Sequence, residues 1–247
     1  MARRSYAGIV KSGLIAAGAV AFATSAFADG AYEPMPVVEA ASPANQLELS
    51  ASTALTTDYV FRGISQTGND PAIQGSFDAT YGIFYAGAWA SNVDFGGDDH
   101  IEIDYYAGIT PTFAGLDWDF GIVAYTYPGG DTDDLWEAYG GVSKTFMDDK
   151  LALGFTTYAE VSGYDYWVFE GTAGYTFDKV SIFTPTLGGT VGTYTDDGDG
   201  DYTYWNAGLT LAFYKEDMFA LDIRYWDTDI DSDLTDERIV GTLSASF

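Results

Sequence analysis

The sequence predicts an all-β protein, a single transmembrane antiparallel up-and-down β-barrel of about twelve strands. Three observations predict it. From Leu47 onward the chain is a succession of alternating segments of about ten residues, the length that a tilted membrane-crossing strand needs. Beyond residue 28 no stretch approaches the ~20 consecutive apolar residues of a membrane helix. A chain of this kind that crosses a bilayer must therefore close its backbone hydrogen bonds between strands. The connections also alternate, short and then longer and acidic, as in barrels with turns on one side of the membrane and loops on the other.

The chain opens with Arg3, Arg4 and Lys11, an apolar stretch from Gly13 to Thr24, and Ala26-Phe27-Ala28. A charged region, an apolar core and a small-x-small site are the parts of a secretory signal peptide, expected over residues 1–28. Its removal leaves an exported protein that begins near Asp29. Residues 29–46 carry Pro34, Pro36 and Pro43 and read as an extended periplasmic leader without a core. The barrel is expected over 47–247, with strands at 47–56, 72–81, 85–95, 100–110, 116–126, 135–145, 151–161, 165–176, 181–192, 202–213, 218–227 and 237–247.

Several segments divide cleanly into two faces, because successive side chains of a strand point to opposite sides. In the fourth, Ile101, Ile103, Tyr105, Ala107 and Ile109 oppose Glu102, Asp104 and Thr110. The seventh sets Leu151, Leu153, Phe155 and Val161 against Thr156, Tyr158 and Glu160. The tenth sets Trp205, Ala207, Leu209, Leu211 and Phe213 against Asn206, Gly208 and Thr210. The sixth, eighth and ninth alternate less clearly, and Pro185 interrupts the ninth.

Short connections run Tyr81–Phe84, Phe113–Leu116, Met147–Lys150, Asp178–Val180 and Tyr214–Asp217. The longer ones are 57–71, 96–99, 127–134, 193–201 and 228–236, while that near Ser162 is short. An even strand count places both termini with the short turns, on the periplasmic side. Lys150, Lys179 and Lys215 fall on those turns, and the acidic clusters fall in the proposed external loops. A soluble eight-stranded lipocalin-like barrel would instead keep its apolar face inside.

Composition agrees with a membrane barrel. Mean hydropathy is −0.03, an average that conceals an apolar face alternating with a polar one. Aromatic residues make up 17% of the chain, with 19 Tyr and 16 Phe, and there are 29 Gly, which fits aromatic girdles and tight turns. The absence of cysteine excludes disulfides and thiolate metal sites. The net charge is −27, and because three of the ten basic residues lie in the signal, the mature chain carries −30. Such a chain repels phosphates, which excludes nucleic acid as a partner, and attracts cations. Acidic disordered chains are poor in aromatics, so this one folds.

The polar register of nearly every strand holds an acid: Glu48, Asp78, Asp94, Glu102, Asp104, Asp119, Glu137, Glu160, Glu170 and Asp222. Basic partners are few, Arg224 and Arg238, with Arg62 near the first loop. Candidate pore-lining residues are therefore Asp78, Glu102, Asp104, Asp119, Glu137, Glu160, Glu170, Asp222, Arg224 and Arg238, the two arginines forming part of any constriction. One reading is a wet lumen whose negative potential favours cations. The other is a packed polar interior in which acids pair with basic and tyrosine side chains. Ten acids cannot all pair with two or three bases, which favours water inside.

The loop clusters Asp196-Asp197-Gly198-Asp199-Gly200-Asp201 and Asp227, Asp229, Asp231, Asp233 have the oxygen-rich character of calcium loops. An EF-hand would place a Glu twelve positions on from Asp197, where Gly208 stands. A solvated acidic loop is the plainer reading, with weak cation binding that bridges lipopolysaccharide phosphates as the alternative. No cofactor or metal is expected. Enzymatic chemistry is not expected either: the single histidine, His100, follows Asp98 and Asp99, whose charges favour its protonated form over a neutral base, and no Gly-x-Ser-x-Gly elbow occurs.

Two resemblances extend this reading. The chain ends Ile239, Gly241, Leu243, Ala245, Phe247 in one alternating register. Bacterial outer-membrane barrels commonly end in such an aromatic, which the barrel assembly machinery reads; Ala245 stands where a second aromatic often lies. The stretch Thr57-Asp58-Tyr59-Val60-Phe61-Arg62-Gly63-Ile64-Ser65-Gln66-Thr67 resembles the opening motif of the TorF-family porins, exported barrel proteins of poorly defined function. Tyr85-Ala86-Gly87 through Ser91-Asn92-Val93-Asp94-Phe95 and Tyr125-Thr126-Tyr127-Pro128-Gly129 agree with it. The resemblance implies a porin in the outer membrane of a Gram-negative bacterium, in contact with lipid and lipopolysaccharide, passing small solutes or cations. The alternative is a plugged structural or surface-binding barrel whose acidic loops take cations or a partner.

Overall fold

The computed structural model describes residues 46–130, 132–196 and 200–247. The expected signal peptide, and the leader up to residue 45, lie outside the described residues. The strands in chain order are β1 (Leu47–Thr56), β2 (Val60–Phe61), β3 (Ile64–Ser65), β4 (Ala72–Tyr81), β5 (Phe84–Asn92), β6 (Ile101–Ile109), β7 (Thr112–Phe113) and β8 (Leu116–Thr126). They continue with β9 (Leu135–Phe146), β10 (Leu151–Glu160), β11 (Tyr166–Thr176), β12 (Phe183–Asp196), β13 (Tyr202–Phe213), β14 (Phe219–Thr228) and β15 (Arg238–Ser246). β7 continues the line of β6 past a break at Thr110-Pro111, where proline has no N–H to offer the ladder. β2 and β3 pair only with each other. The other twelve strands are the staves of one closed antiparallel barrel, each paired with its neighbours in sequence.

The seam between β1 and β15 closes it, with Ser52 opposite Ser246 and Thr56 opposite Thr242. Phe247 is tied into that seam by reciprocal bonds: Ala51 N donates to its carbonyl at 3.1 Å, and its own N–H donates to Ala51 at 2.9 Å. Closure leaves no unpaired edge, which a bilayer would penalise.

Alternation explains which face goes where. Leu47, Leu49 and Leu55 of β1 are exposed on the outside, while Ala54 and Thr56 on the alternate register are buried. The outward residues line up across strands, Leu187 beside Leu209 and Leu209 beside Ile223, so the apolar positions merge into a continuous band. Among the described residues no helix is long and apolar enough to cross a membrane; an apolar band encircles the staves. Near the turn end the band carries aromatic clusters, stacked in Phe113–Trp118–Phe120 and in Phe213–Phe219 with Phe183 edge-on to Phe213, and near the loop end the stacked pair Trp167–Phe169. In membrane barrels aromatic rings are enriched at the two ends of such a band.

β12 runs Phe183–Asp196, four residues beyond the expected end, and tolerates Pro185 for a local reason. Pro185 pairs with Leu211 of β13, and its carbonyl accepts from Phe177 N at 2.9 Å, beyond the end of β11. Its missing donor thus faces the side on which the neighbouring stave has already run out. At the turns, Lys150 donates to Asp178 at 2.6 Å and Lys179 lies 3.7 Å from Asp217. The hydrogen bond to Asp178 holds the Lys150 ammonium above the ordinary lysine value. Exposed pairs of this kind add little stability.

The departure from expectation is the first long connection. Residues 57–71 were expected as an external loop; instead the chain turns back into the barrel as the β2–β3 hairpin, burying Tyr59, Val60, Arg62, Ser65 and Thr67.

Candidate functional site

The inner wall is built from the polar register, and its recurring unit is a carboxylate taking a tyrosine hydroxyl. Tyr106 donates to Asp78, Tyr85 to Asp119 at 2.7 Å, and Tyr204 to Glu170. Tyr59, on the hairpin, donates to Glu102 at 3.3 Å. Each pair spans staves or loops far apart in sequence. A phenol supplies a donor without a charge, which satisfies a carboxylate for which the chain has no base. Glycines make room for these rings: a Cβ on Gly87, Gly121 or Gly192 would stand about 2.5 Å or less from an atom of Tyr106, Tyr139 or Tyr204, respectively.

Glu137 of β9 is the hub. It is fully buried, and Arg62 at the tip of the hairpin grips it with two parallel bonds, Nη1 to Oε1 at 2.7 Å and Nη2 to Oε2 at 2.9 Å. Tyr166 donates to Oε1 at 2.6 Å and Tyr125 to Oε2 at 2.9 Å. The guanidinium lies between the rings of Phe61, 4.6 Å away, and Tyr158, 4.9 Å away. Bidentate geometry and aromatic stacking both suit arginine and would not suit lysine.

The hairpin crosses the lumen. Tyr59 packs edge-on against Trp89 of β5, with ring centroids 5.3 Å apart. Gly63, on the far side of the tip, has φ +83°, and a Cβ there would lie 2.6 Å from Thr228 Cγ2 and 3.0 Å from Tyr204 Cβ. Both conformation and space therefore require glycine. Asp58 anchors the base: Ser65 Oγ, Thr67 Oγ1 and Arg238 Nη1 donate to it at 2.7, 2.9 and 2.8 Å. Two backbone bonds hold the hairpin to neighbouring loops, Ser65 N to Leu234 O at 2.9 Å and Asp94 N to Gln66 O at 2.8 Å. Gly63→Val is expected to expel the tip, read as faster amide hydrogen exchange over residues 58–67 with the barrel strands unchanged. Unchanged exchange would mean that the tip tolerates the added side chain.

A family model described as "Bacterial protein of unknown function (Gcw_chp)" matches residues 39–246. The chain belongs to the Gcw_chp family. In structure it is similar to the KdgM porin, with a TM-score of 0.58 at 10% identity over 80% of this chain and 98% of that one. It is similar also to the NanC porin, with a TM-score of 0.51 at 12% identity over 81% and 99%. Another KdgM structure, in complex with disordered oligogalacturonate, has a TM-score of 0.57 at 10% identity over 81% and 98%. At these identities the likeness is one of fold, a porin-like barrel. No curated protein matches it in sequence.

The remaining candidate residues of the Gcw_chp chain fall into separate groups. Asp222 and Arg224 form their own inward pair, with Arg224 Nε 3.2 Å from Asp222 Oδ1, Nη2 3.1 Å from Oδ2 and Nη1 2.7 Å from Asn206 Oδ1. Arg238 holds Asp58 and Asn69 at the hairpin base. Asp104 is buried beside the Tyr125 position of β8. Glu160 closes its own loop instead, accepting from the backbone N–H groups of Ser162, Gly163, Tyr164 and Asp165. Glu160→Ala is expected to lower the unfolding free energy by about 1–2 kcal/mol in urea titration, because those donors lose a charged acceptor; no change would mean that water replaces it. Of the loop clusters, Asp197 and Asp199 lie outside the described residues. Asp229 Oδ1 accepts from Thr203 N at 2.8 Å and Asp227 Oδ2 from the Tyr225 hydroxyl at 2.8 Å, both local roles.

The sequence offers tyrosines as partners of the acids in one of its two readings, but it leaves Arg62 near a loop and does not show which tyrosine meets which acid. The signal was present. Tyr85, Tyr125, Tyr139, Tyr158, Tyr166 and Tyr204 all stand in the same alternating register as the acids.

Proposed function

We propose that the protein is an outer-membrane porin for passive diffusion of small, preferably cationic solutes through a narrow, acid-lined lumen. The observation that carries this reading is the closed twelve-stave barrel with an apolar outer band and an inner wall rich in carboxylates. Export by the N-terminal signal, contact with lipid and lipopolysaccharide, delivery by the barrel assembly machinery and a periplasmic position for the turns complete the proposal. The resemblance of residues 57–67 to TorF-family porins supports it. Oligogalacturonate, the acidic sugar chain bound by KdgM in one structure, is not the solute class proposed. Here carboxylates outnumber arginines on the wall, and Arg62, Arg224 and Arg238 are each engaged with one. Like charge on wall and solute costs entry.

Planar-bilayer recording of the refolded protein under a salt gradient tests the reading. Discrete openings with a reversal potential on the cation side are expected, and Glu102→Gln/Asp104→Asn should move it toward zero. Conduction with unaltered selectivity in that variant would remove these acids from the lumen. The hairpin across the barrel favours a second reading, a plugged structural or surface-binding barrel; a folded, inserted but silent protein would select it.

A further inference from the structure

We propose that the Glu137 cage is a binding site for a planar organic cation of the guanidinium type, and that Arg62 is its tethered occupant. A cationic solute arriving from the loop end then competes with the hairpin for one carboxylate, and displacing Arg62 opens the path. This rests on the porin reading above.

The cage belongs to the wall. Glu137, Tyr125, Tyr158 and Tyr166 come from β9, β8, β10 and β11, and the hairpin contributes only Phe61 and Arg62. With Arg62 withdrawn, the wall keeps a buried carboxylate, two hydroxyls aimed at its oxygens and one aromatic face. The two hydroxyls occupy one lone-pair direction on each oxygen, at 2.6 and 2.9 Å, and leave the paired forward positions for a bidentate donor. The Tyr158 ring, 4.9 Å from the guanidinium carbon, rewards a flat cation. A primary ammonium lacks that plane, and a metal ion has no N–H donors to fill the two forward positions.

The occupant is held imperfectly. Arg62 Nε is buried and has no hydrogen-bond partner among the described residues. A buried donor without an acceptor opposes retention of the hairpin. Of the remaining holds on the hairpin, Tyr59 bonds Glu102 and packs on Trp89 of the wall, while Asp58–Arg238 and the two backbone bonds to neighbouring loops lie at its base, outside the barrel ladder. Release of the tip therefore breaks no bond between staves.

The test uses guanidinium chloride at millimolar concentration, with sodium chloride as the ionic control. Arg62→Ala, refolded in detergent, should gain a saturable rise in thermal midpoint with guanidinium, and Arg62→Ala/Glu137→Gln should not. In bilayers guanidinium should block Arg62→Ala, and the wild type should need at least about tenfold more, because its site is already filled. An equal guanidinium response with and without Glu137 overturns the proposal. If Arg62→Ala does not fold, the wild type supplies the second measurement. Guanidinium should then speed trypsin cleavage after Arg62 beyond the sodium control, and no difference overturns the proposal. A midpoint shift in channels that never conduct keeps the cation site and removes the porin reading.

Discussion

Replacing Glu137 with leucine is expected to make the Arg62–Gly63 bond a trypsin site in a protein whose wild type resists cleavage there. Arg62 is 4% exposed and its partner Glu137 0%. Removing one member of a buried ion pair leaves the other uncompensated, a cost of about 3–5 kcal/mol. The Tyr125 and Tyr166 hydroxyls lose their acceptor as well. The barrel can relieve most of this by letting the hairpin swing out to water, since its tip is bonded to side chains and not to the sheet. The expected products are a C-terminal fragment beginning at Gly63 and a lower urea midpoint. Arg62→Met/Glu137→Leu, which removes both charges, should recover stability relative to the single variant. A Glu137→Leu protein as stable and as resistant as the wild type would mean that the pair does not hold the hairpin.

Ile223→Arg is expected to cost about 2–4 kcal/mol in the folding free energy measured in lipid vesicles. Ile223 sits near the middle of β14, opposite Leu209, and is 56% exposed on the outer face. A guanidinium there must be solvated by thinning the bilayer or by bending toward a headgroup. The same change on a water-facing surface would cost little, so an indifferent Ile223→Arg would show that the apolar band does not meet hydrocarbon. Glu48→Gln, on the inner register near the turn end, serves as the contrasting substitution and should leave stability nearly unchanged.

The positions of the staves were legible because the pleat is a local property. Ile101 to Ile109 must share a face whatever the rest of the chain does, and the observed β6 keeps that face outward. Chain order was legible for a related reason. Short turns such as Gly82-Ile83 and Ala114-Gly115 can join only antiparallel neighbours. Pro185 was a misleading signal: read alone it weakens a strand, but the end of β11 beside it removes the penalty.

The interior was legible only in composition. Counting acids against bases suggested that most carboxylates would need water, because the count left out tyrosine. Asp78, Asp119, Glu137 and Glu170 each find a phenol on another strand, 12 to 34 residues away. Likewise, the motif around Arg62 marked the first connection as distinctive without indicating that it folds inward.

What the sequence by itself determined is the barrel: strand lengths, alternation and the sidedness of turns and loops follow from forces acting within about ten residues or between chain neighbours. What only the tertiary structure decided is the content of the barrel. Arg62 and Glu137 are 75 residues apart, and Asp58 and Arg238 are 180 apart. Such pairs form only after closure has placed their staves around one axis, when a buried charge must find its partner among whatever the opposite wall presents.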